Sequence, residues 1–399
     1  MPQQINKMLK FPVLLDWLTG AKRPLLHIGQ GVRLAGAIPA LHALLEKVRI
    51  PVLTARNGND IIASDHPLYI GRPGTFAQRG ANFAVQASDL YIAVGTRLCM
   101  AQTGYNHKDY ARNATIVHVD IDSPELNKGR LRAPLLIQQD ARAFLEQLSA
   151  QVAERLQWPE WYARCKSWQH RYPAVTDDMR VPDARVNAYH LAELLSMKAH
   201  HDDIVVTDMG LAFQCTHTAW HVREGQRLFT NGGLAPMGWG LPAAIGAHLG
   251  TGRRVICISG DGGLMMNLQE LASLRHHDAN VKLFVLNNGG YVTMRQSQKR
   301  GFGRLTGSDA ADLTFPHFGM LAHSFDLPYM RLISNGDAKE RIHEALEADG
   351  PVFVEVMADP EQYQVQSINK RIDGHIVPTR LEDMYPFLPE EQLMREMQI

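Results

Sequence analysis

The sequence predicts an α/β protein made of two doubly wound parallel-sheet domains. Three observations carry that expectation. Short apolar runs such as "LYIAVG" (90–95) and "VKLFVLN" (281–287) recur along the chain. Stretches of helical period separate them, and one Trp- and Pro-bearing segment interrupts the series before it resumes. Strands that are apolar at nearly every position belong to a sheet covered on both faces, which is the parallel arrangement. At roughly 100–200 residues per domain, 399 residues suffice for two or three cores.

Residues 1–19 read as a leader. Its short apolar patch is broken by Pro12 and Asp16 and lacks the h-region and cleavage site of a signal peptide. A first domain is expected over 20–155, with strands at 24–29, 51–56, 90–95 and 114–122 and a helix over 35–49. Residues 156–186 carry Trp158, Trp161 and Trp168 with several Pro and mixed charge, and read as a helix followed by an extended linker. The second domain is expected over 187–370. Its strands lie at 203–208, 255–259, 281–287, 329–333 and 352–358. Its helices include "LPAAIGAHLG", a stretch with Leu264, Leu268 and Leu271 in phase, and 338–348. The tail, 371–399, reads as packing across a neighbour.

Composition excludes several classes. Lys plus Arg equals Asp plus Glu at 41 each, so no excess charge draws the chain to nucleic acid or an anionic membrane. No run approaches the roughly 20 apolar residues that cross a bilayer. Cys99, Cys165, Cys215 and Cys257 are scattered without zinc spacing, and Cys257 lies in an apolar run as a small buried hydrophobe. The histidines, among them His27, His66 and His217, show no metal-ligand spacing. A cytoplasmic protein is expected.

The chemistry concentrates in "SGDGGLMMNLQEL" (259–271) and "LNNGG" (286–290). Asp261 follows a strand directly and precedes a helix, the position where open α/β sheets hold ligands. Gly260, Gly262 and Gly263 let the backbone approach a bulky anion and turn its N–H groups towards it. The helix N-terminus adds partial positive charge. A carboxylate beside such an anion makes sense if a metal lies between. Mg²⁺ takes oxygen ligands, commonly one or two carboxylates with phosphate oxygens and water. The next parallel strand ends at Asn287–Asn288, which brings the Asn288 amide oxygen to the same rim, and the Gly290 carbonyl could add a third oxygen. The same residues would also serve a plain strand–helix turn with Asp261 as its cap.

The stretch 260–288 resembles the thiamine diphosphate (ThDP) motif, which opens with GDG and closes with NN. The resemblance implies that Asp261, Asn288 and the Gly290 carbonyl hold Mg²⁺ and that Gly262 and Gly263 touch the diphosphate. "TNGGLAPMGWGLPAAIGA" (230–247) resembles the acetolactate synthase segment that receives the pyrimidine ring. There the backbone at Ala235 and Met237 would bind the ring, and the Met237 side chain would bend the cofactor so that its 4′-amino group meets the thiazolium C2. Gly210, in "TDMGLAF", is a further expected phosphate contact, and Leu211 departs from the polar residue many relatives have.

The segment 58–98, which opens "GNDIIASDHPLYIGRPGTF" with Asn59 in the first variable place, resembles the middle domain of acetolactate-synthase-like enzymes. In acetolactate synthases proper that domain carries FAD. Here "GQGVRLAG" (29–36) has Leu34 where a dinucleotide loop needs Gly. Residues 99–114 look closer to relatives associated with polysaccharide biosynthesis, so FAD is a secondary expectation. Tyr291, Arg295 and Gln298 follow the Asn pair and are candidates to meet substrate, or simply line a helix face.

Enzymes of this family have a further pyrimidine domain whose Glu hydrogen-bonds the cofactor N1′, and no Glu of this chain matches that acid. The resemblance therefore implies a split enzyme: this chain binds ThDP and Mg²⁺, and a separate smaller subunit brings the pyrimidine domain, most simply as a heterotetramer. The expected reaction is decarboxylation of pyruvate or a related 2-oxo acid and transfer of the acyl anion to a second carbonyl. No catalytic acid is assigned within the chain. The alternatives are a non-catalytic cofactor-binding or assembly subunit, and a chain that is part of a longer polypeptide.

Overall fold

The computed structural model describes residues 10–129, 131–362, 364, 368–372 and 375–398. The leader expected over 1–19 lies outside them up to residue 9, and Lys10–Gly20 forms a helix. The chain divides into two compact units, one of 1–173 with 365–370 and 377–399, the other of 174–364 with 371–376. Each unit holds one six-stranded sheet.

In the first unit the strands are β1 (Pro24–Ile28), β2 (Val52–Thr54), β3 (Tyr69–Gly71), β4 (Leu90–Val94), β5 (Thr115–Asp120) and β6 (Leu135–Gln138), in the order β3-β2-β1-β4-β5-β6. All pairings are parallel. Successive residues of β1 feed opposite faces: Leu26 and Ile28 join one apolar cluster and Leu25 the other. This is the physical reason the run reads as continuously apolar.

The first sheet also buries polar groups. His27 is fully buried, its Nδ1 paired with the Tyr91 hydroxyl, which in turn meets that of Tyr110. Burial pushes the His27 imidazole down to about 3. The segment Pro159–Arg171 is the expected helix, and a short 3₁₀ turn, Asp177–Arg180, follows it. Residues 377–399 return to the first unit, where Glu396 accepts from Trp168 Nε1 at 2.7 Å and from Arg171, and Arg79 donates to the carbonyls of Met384 and Pro386. The buried charges and Trp168 fix the tail at home.

In the second unit the strands are β7 (Ile204–Thr207), β8 (Arg227–Phe229), β9 (Val255–Gly260), β10 (Val281–Asn287), β11 (Tyr329–Leu332) and β12 (Val352–Met357). Their order is β8-β7-β9-β10-β12-β11, again all parallel. The chain leaves β7 in one direction to β8 and then crosses to β9 on the other side. That reversal opens a crevice at the carboxyl ends of β7 and β9, the usual ligand position in such sheets. The helix expected across Leu264, Leu268 and Leu271 is split into Asp261–Leu264 and Glu270–His276. Asn267 lies in the break and donates its side-chain N–H to the Gly238 carbonyl at 2.8 Å, while the backbone turns there through i→i+3 hydrogen bonds such as the Asn267 N–H to Leu264 and the Glu270 N–H to Asn267. Asn335–Glu347 starts on a capping box between Ser334 and Asp337. Among the described residues no helix is long and apolar enough to cross a membrane.

His27 gives a pH prediction. Its folded value of about 3 lies below the unfolded value near 6.5, so it is neutral in the fold and gains a proton on unfolding. Its contribution is present above about pH 6.5 and is lost as pH falls towards 3. Urea unfolding of the first unit should lose up to about 1.4 kcal/mol per pH unit from this group below that point, and His27→Gln should remove that part of the slope. Equal slopes in both proteins would contradict the assignment.

Candidate functional site

The site is built from the carboxyl ends of β7, β9 and β10. Asp261 is 1% exposed. Its Oδ1 accepts the Gly262 N–H at 2.7 Å, and its Oδ2 accepts those of Asn288 at 3.1 Å and Gly290 at 3.0 Å. Burial pushes the carboxyl up to about 6, against the opposing pull of these N–H groups. The backbone after β10 thus wraps around a carboxylate at the tip of β9. Gly290 permits the wrap: its φ is 135°, and a Cβ there would lie 2.5 Å from the Ser308 carbonyl oxygen.

The two Asn residues diverge. Asn287 donates to Glu355 Oε1 at 2.6 Å, and Glu355 also receives the Tyr329 hydroxyl. Asn288 is buried, and its Oδ1 has no hydrogen-bond donor among the described residues. A buried amide oxygen left without a donor costs about 1–3 kcal/mol unless something else answers it. A cavity of about 300 Å³ opens along this loop, lined in part by Asn287, Asn288, Gly289 and Arg295.

Asp208, at the end of β7, is the residue that sequence reasoning missed. It is 1% exposed and accepts from the N–H groups of Met209 at 2.8 Å and Gly238 at 3.0 Å and from the Ser259 hydroxyl at 3.0 Å. Burial raises its pKa. A Cβ at Gly263 would sit 2.5 Å from its Oδ2, so the GDGG turn packs directly against it. The available signal was an acidic residue closing an apolar strand, "DIVVTD", just before Gly210.

Comparison with known proteins decides the family. Residues 13–148 match the model for the central domain of thiamine pyrophosphate enzymes, and residues 208–356 match that for their C-terminal TPP binding domain. The chain belongs to the thiamine pyrophosphate enzyme family. Its relatives are acetolactate synthase large subunits. The isozyme 2 large subunit of Escherichia coli is 33% identical over 352 residues, 86% of this chain and 61% of that protein. The probable large subunit of Methanocaldococcus jannaschii is 30% identical over 407 residues, 99% of this chain and 67% of that protein. A large subunit from Cyanidium caldarium is 31% identical over 368 residues. The chain spans about three fifths of the length of the E. coli relatives.

The residues present fit the metal that a thiamine pyrophosphate enzyme implies. Among the described residues no group of three or more His, Cys, Asp or Glu is placed to hold a metal. The donors at the strand tips are instead one carboxylate and one amide oxygen without a donor among the described residues, hard oxygens suited to Mg²⁺. Gly262 lies under the Tyr291 ring, and Gly260 has open space beside its Cα. Gly210 has φ 77° and precedes the helix Leu211–Ala219. Ala235 adopts a φ of 53° in the loop 231–239, and Met237 on that loop is 38% exposed.

In the first unit the glycine turn after β1 is closely packed. A Cβ at Gly29 would lie 2.3 Å from the Gly95 carbonyl oxygen, and one at Gly31 would lie 2.7 Å from the Gly95 Cα. The glycines after β1 are spent on close packing against the turn after β4.

Two of the three substrate candidates have internal partners. Arg295 is 5% exposed and donates to the carbonyls of Asn288 at 3.0 Å, Gly289 at 3.1 Å and Pro360 at 2.8 Å. Gln298 exchanges hydrogen bonds with Thr306 and accepts from the Ser308 hydroxyl at 2.7 Å. Both hold the loop that encloses Asp261. Tyr291 is half-buried with its ring over Gly262. Arg295→Ala should therefore destabilise the second unit by about 2–4 kcal/mol in chemical unfolding, because three carbonyls lose a charged donor. Arg295→Lys should recover only part, lacking the planar fork. A variant as stable as the parent would return Arg295 to the substrate candidates.

Proposed function

We propose that this chain is the ThDP- and Mg²⁺-binding part of an acetolactate-synthase-like enzyme that decarboxylates pyruvate or a related 2-oxo acid and transfers the acyl unit to a second carbonyl. The observation that carries the reading is the donorless Asn288 oxygen on the loop that wraps the buried Asp261 carboxylate. Both atoms want a cation, and a diphosphate brought by that cation would meet the GDGG turn. Asp261, Asn288 and the Gly290 carbonyl hold the metal. Gly260, Gly262, Gly263 and Gly210 let backbone approach the diphosphate. The Ala235 and Met237 backbone positions the pyrimidine, and the Met237 side chain bends the cofactor.

When bound, thiamine diphosphate supplies the electron sink for loss of CO₂ from a 2-oxo acid. The protein's share is to bend, orient and keep water away. We assign the acid that serves N1′ to a separate, smaller subunit carrying a pyrimidine-type domain. Support comes from the loop itself. Leu234 is 86% exposed, Met237 38% and Met266 49%. Apolar side chains grouped around a polar site mark a surface that another domain covers. The relatives are named large subunits, which implies a partner for those proteins. A heterotetramer is the simplest symmetric assembly.

Two experiments test this. Saturating Mg²⁺ and ThDP at a hundred times the dissociation constant should stabilise the wild-type chain by about 2.7 kcal/mol. Asp261→Asn and Asn288→Ala should lose that gain, and retention of it would remove both from the metal site. Mixed with the pyrimidine-domain protein, Mg²⁺, ThDP and pyruvate, the chain should release CO₂ only when both proteins are present. Full-rate release by this chain alone would overturn the split assignment.

A further inference from the structure

Asp208 is placed at the second unit's switch point, and its contacts reach every segment of the proposed cofactor site except the loop after β10. Its carboxylate accepts both from its own loop, at Met209, and from the far loop, where the Gly238 N–H lies 3.1 Å from Oδ1 and 3.0 Å from Oδ2. The Trp239 N–H adds to this set. Ser259, two residues before Asp261, donates its hydroxyl to Oδ2 at 3.0 Å. Two glycines allow the approach: a Cβ at Gly240 would stand 2.9 Å from the Asp208 Cβ, and one at Gly263 would stand 2.5 Å from Oδ2. The Gly238 peptide is gripped from the other side as well, its carbonyl accepting from Asn267 at 2.8 Å.

The partners of Asp208 among the described residues are thus backbone N–H groups and one hydroxyl. A buried carboxylate answered only by neutral donors costs free energy that a neutral side chain would not. What the charge gains is reach: two oxygens with about four acceptor sites can serve donors from three directions at once, which one amide oxygen cannot. The loop 231–239 otherwise has little to hold it, since Gly233 to Met237 are all exposed.

We infer that Asp208 is a positioning residue that ties the loop bearing Ala235 and Met237 to the strand tip bearing Asp261, and so fixes the distance between the two ends of the cofactor site. Its hydrogen bonds go to Met209, Gly238, Trp239 and Ser259, none of them a proposed metal donor. It acts through Gly238 on one side and through Ser259 and Gly263 on the other. The inference rests on the reading that the loop receives the pyrimidine end.

The test separates the two ends with two probes. Mg²⁺ with inorganic pyrophosphate engages only the strand-tip end, and Mg²⁺ with ThDP engages both. In calorimetric titrations of the full chain, Asp208→Asn should weaken ThDP about tenfold or more and leave pyrophosphate within about twofold. Ser259→Ala, which removes one contact and keeps the carboxylate, should show the same selective loss to a smaller degree and serves should Asp208→Asn not fold. A parallel loss of both probes, or no loss of either, would overturn the inference and leave Asp208 as scaffold. Asp261→Asn should lose both probes. Wild-type chain that binds neither probe would instead sink the cofactor reading on which this rests.

Discussion

The carboxylate of Asp261 is the point on which the second unit's site turns. It lies at the tip of β9, shut off from water, and the groups that answer its charge are N–H groups of its own turn and of the loop after β10. Arg295 sits on the other side of that loop and takes the carbonyls of Asn288 and Gly289. The peptides between the two ions are therefore aligned, N–H towards the carboxylate and C=O towards the guanidinium. Each ion holds the loop in the sense the other requires. This alignment also decides which oxygens remain: Asn287 is drawn away by Glu355, and the Asn288 side-chain oxygen is left over. A site made this way has its loop positioned by hydrogen bonds within the chain itself.

The two sheets use their switch points differently, although both are doubly wound. In the first, the chain reverses between β1 and β4, and the glycines there bring Gly29 and Gly31 against Gly95. In the second, the reversal lies between β7 and β9, and each of those strands ends in a buried carboxylate, Asp208 and Asp261. Glycine near a strand end is common to both. What differs is whether the space it frees goes to the chain or to side-chain oxygens, and the sequence "GQGVRLAG" does not tell those outcomes apart.

The central strands and most helices were legible because continuous apolar runs and helical period are local signals. Edge strands Tyr69–Gly71, Leu135–Gln138 and Arg227–Phe229 were not, being short and partly polar, so their pairing depends on neighbours the pattern cannot see. The break in the helix after Asp261 is made of i→i+3 turns, and Asn267 within it bonds Gly238, 29 residues away. At the site, GDGG and NN were readable because the spacing of two adjacent strand tips is fixed by one βαβ unit. Asp208 escaped because its partners lie 30 and 51 residues away. Arg295 was noticed for its charge, but its three carbonyl partners follow from loop geometry that no local pattern encodes.

One asymmetry of the second unit follows from these contacts. The strand-tip end of the site is over-determined: two carboxylates, a guanidinium and several close-packed glycines leave it no freedom. The loop that reaches out from Gly238 is the opposite. Beyond its anchor, Leu234, Ala235, Pro236 and Met237 stand in solvent, with Ala235 in a left-handed conformation held by its N–H to the Asn231 carbonyl at 2.8 Å. A positive φ on Ala costs free energy that local contacts of this kind offset only in part. An apolar, strained and outward-facing loop is a poor end state for a chain on its own, and a good one for a chain whose loop is to be covered. The order of dependence then runs outward, from the two buried acids, to the anchored glycine, to the exposed residues 233–237 beyond it.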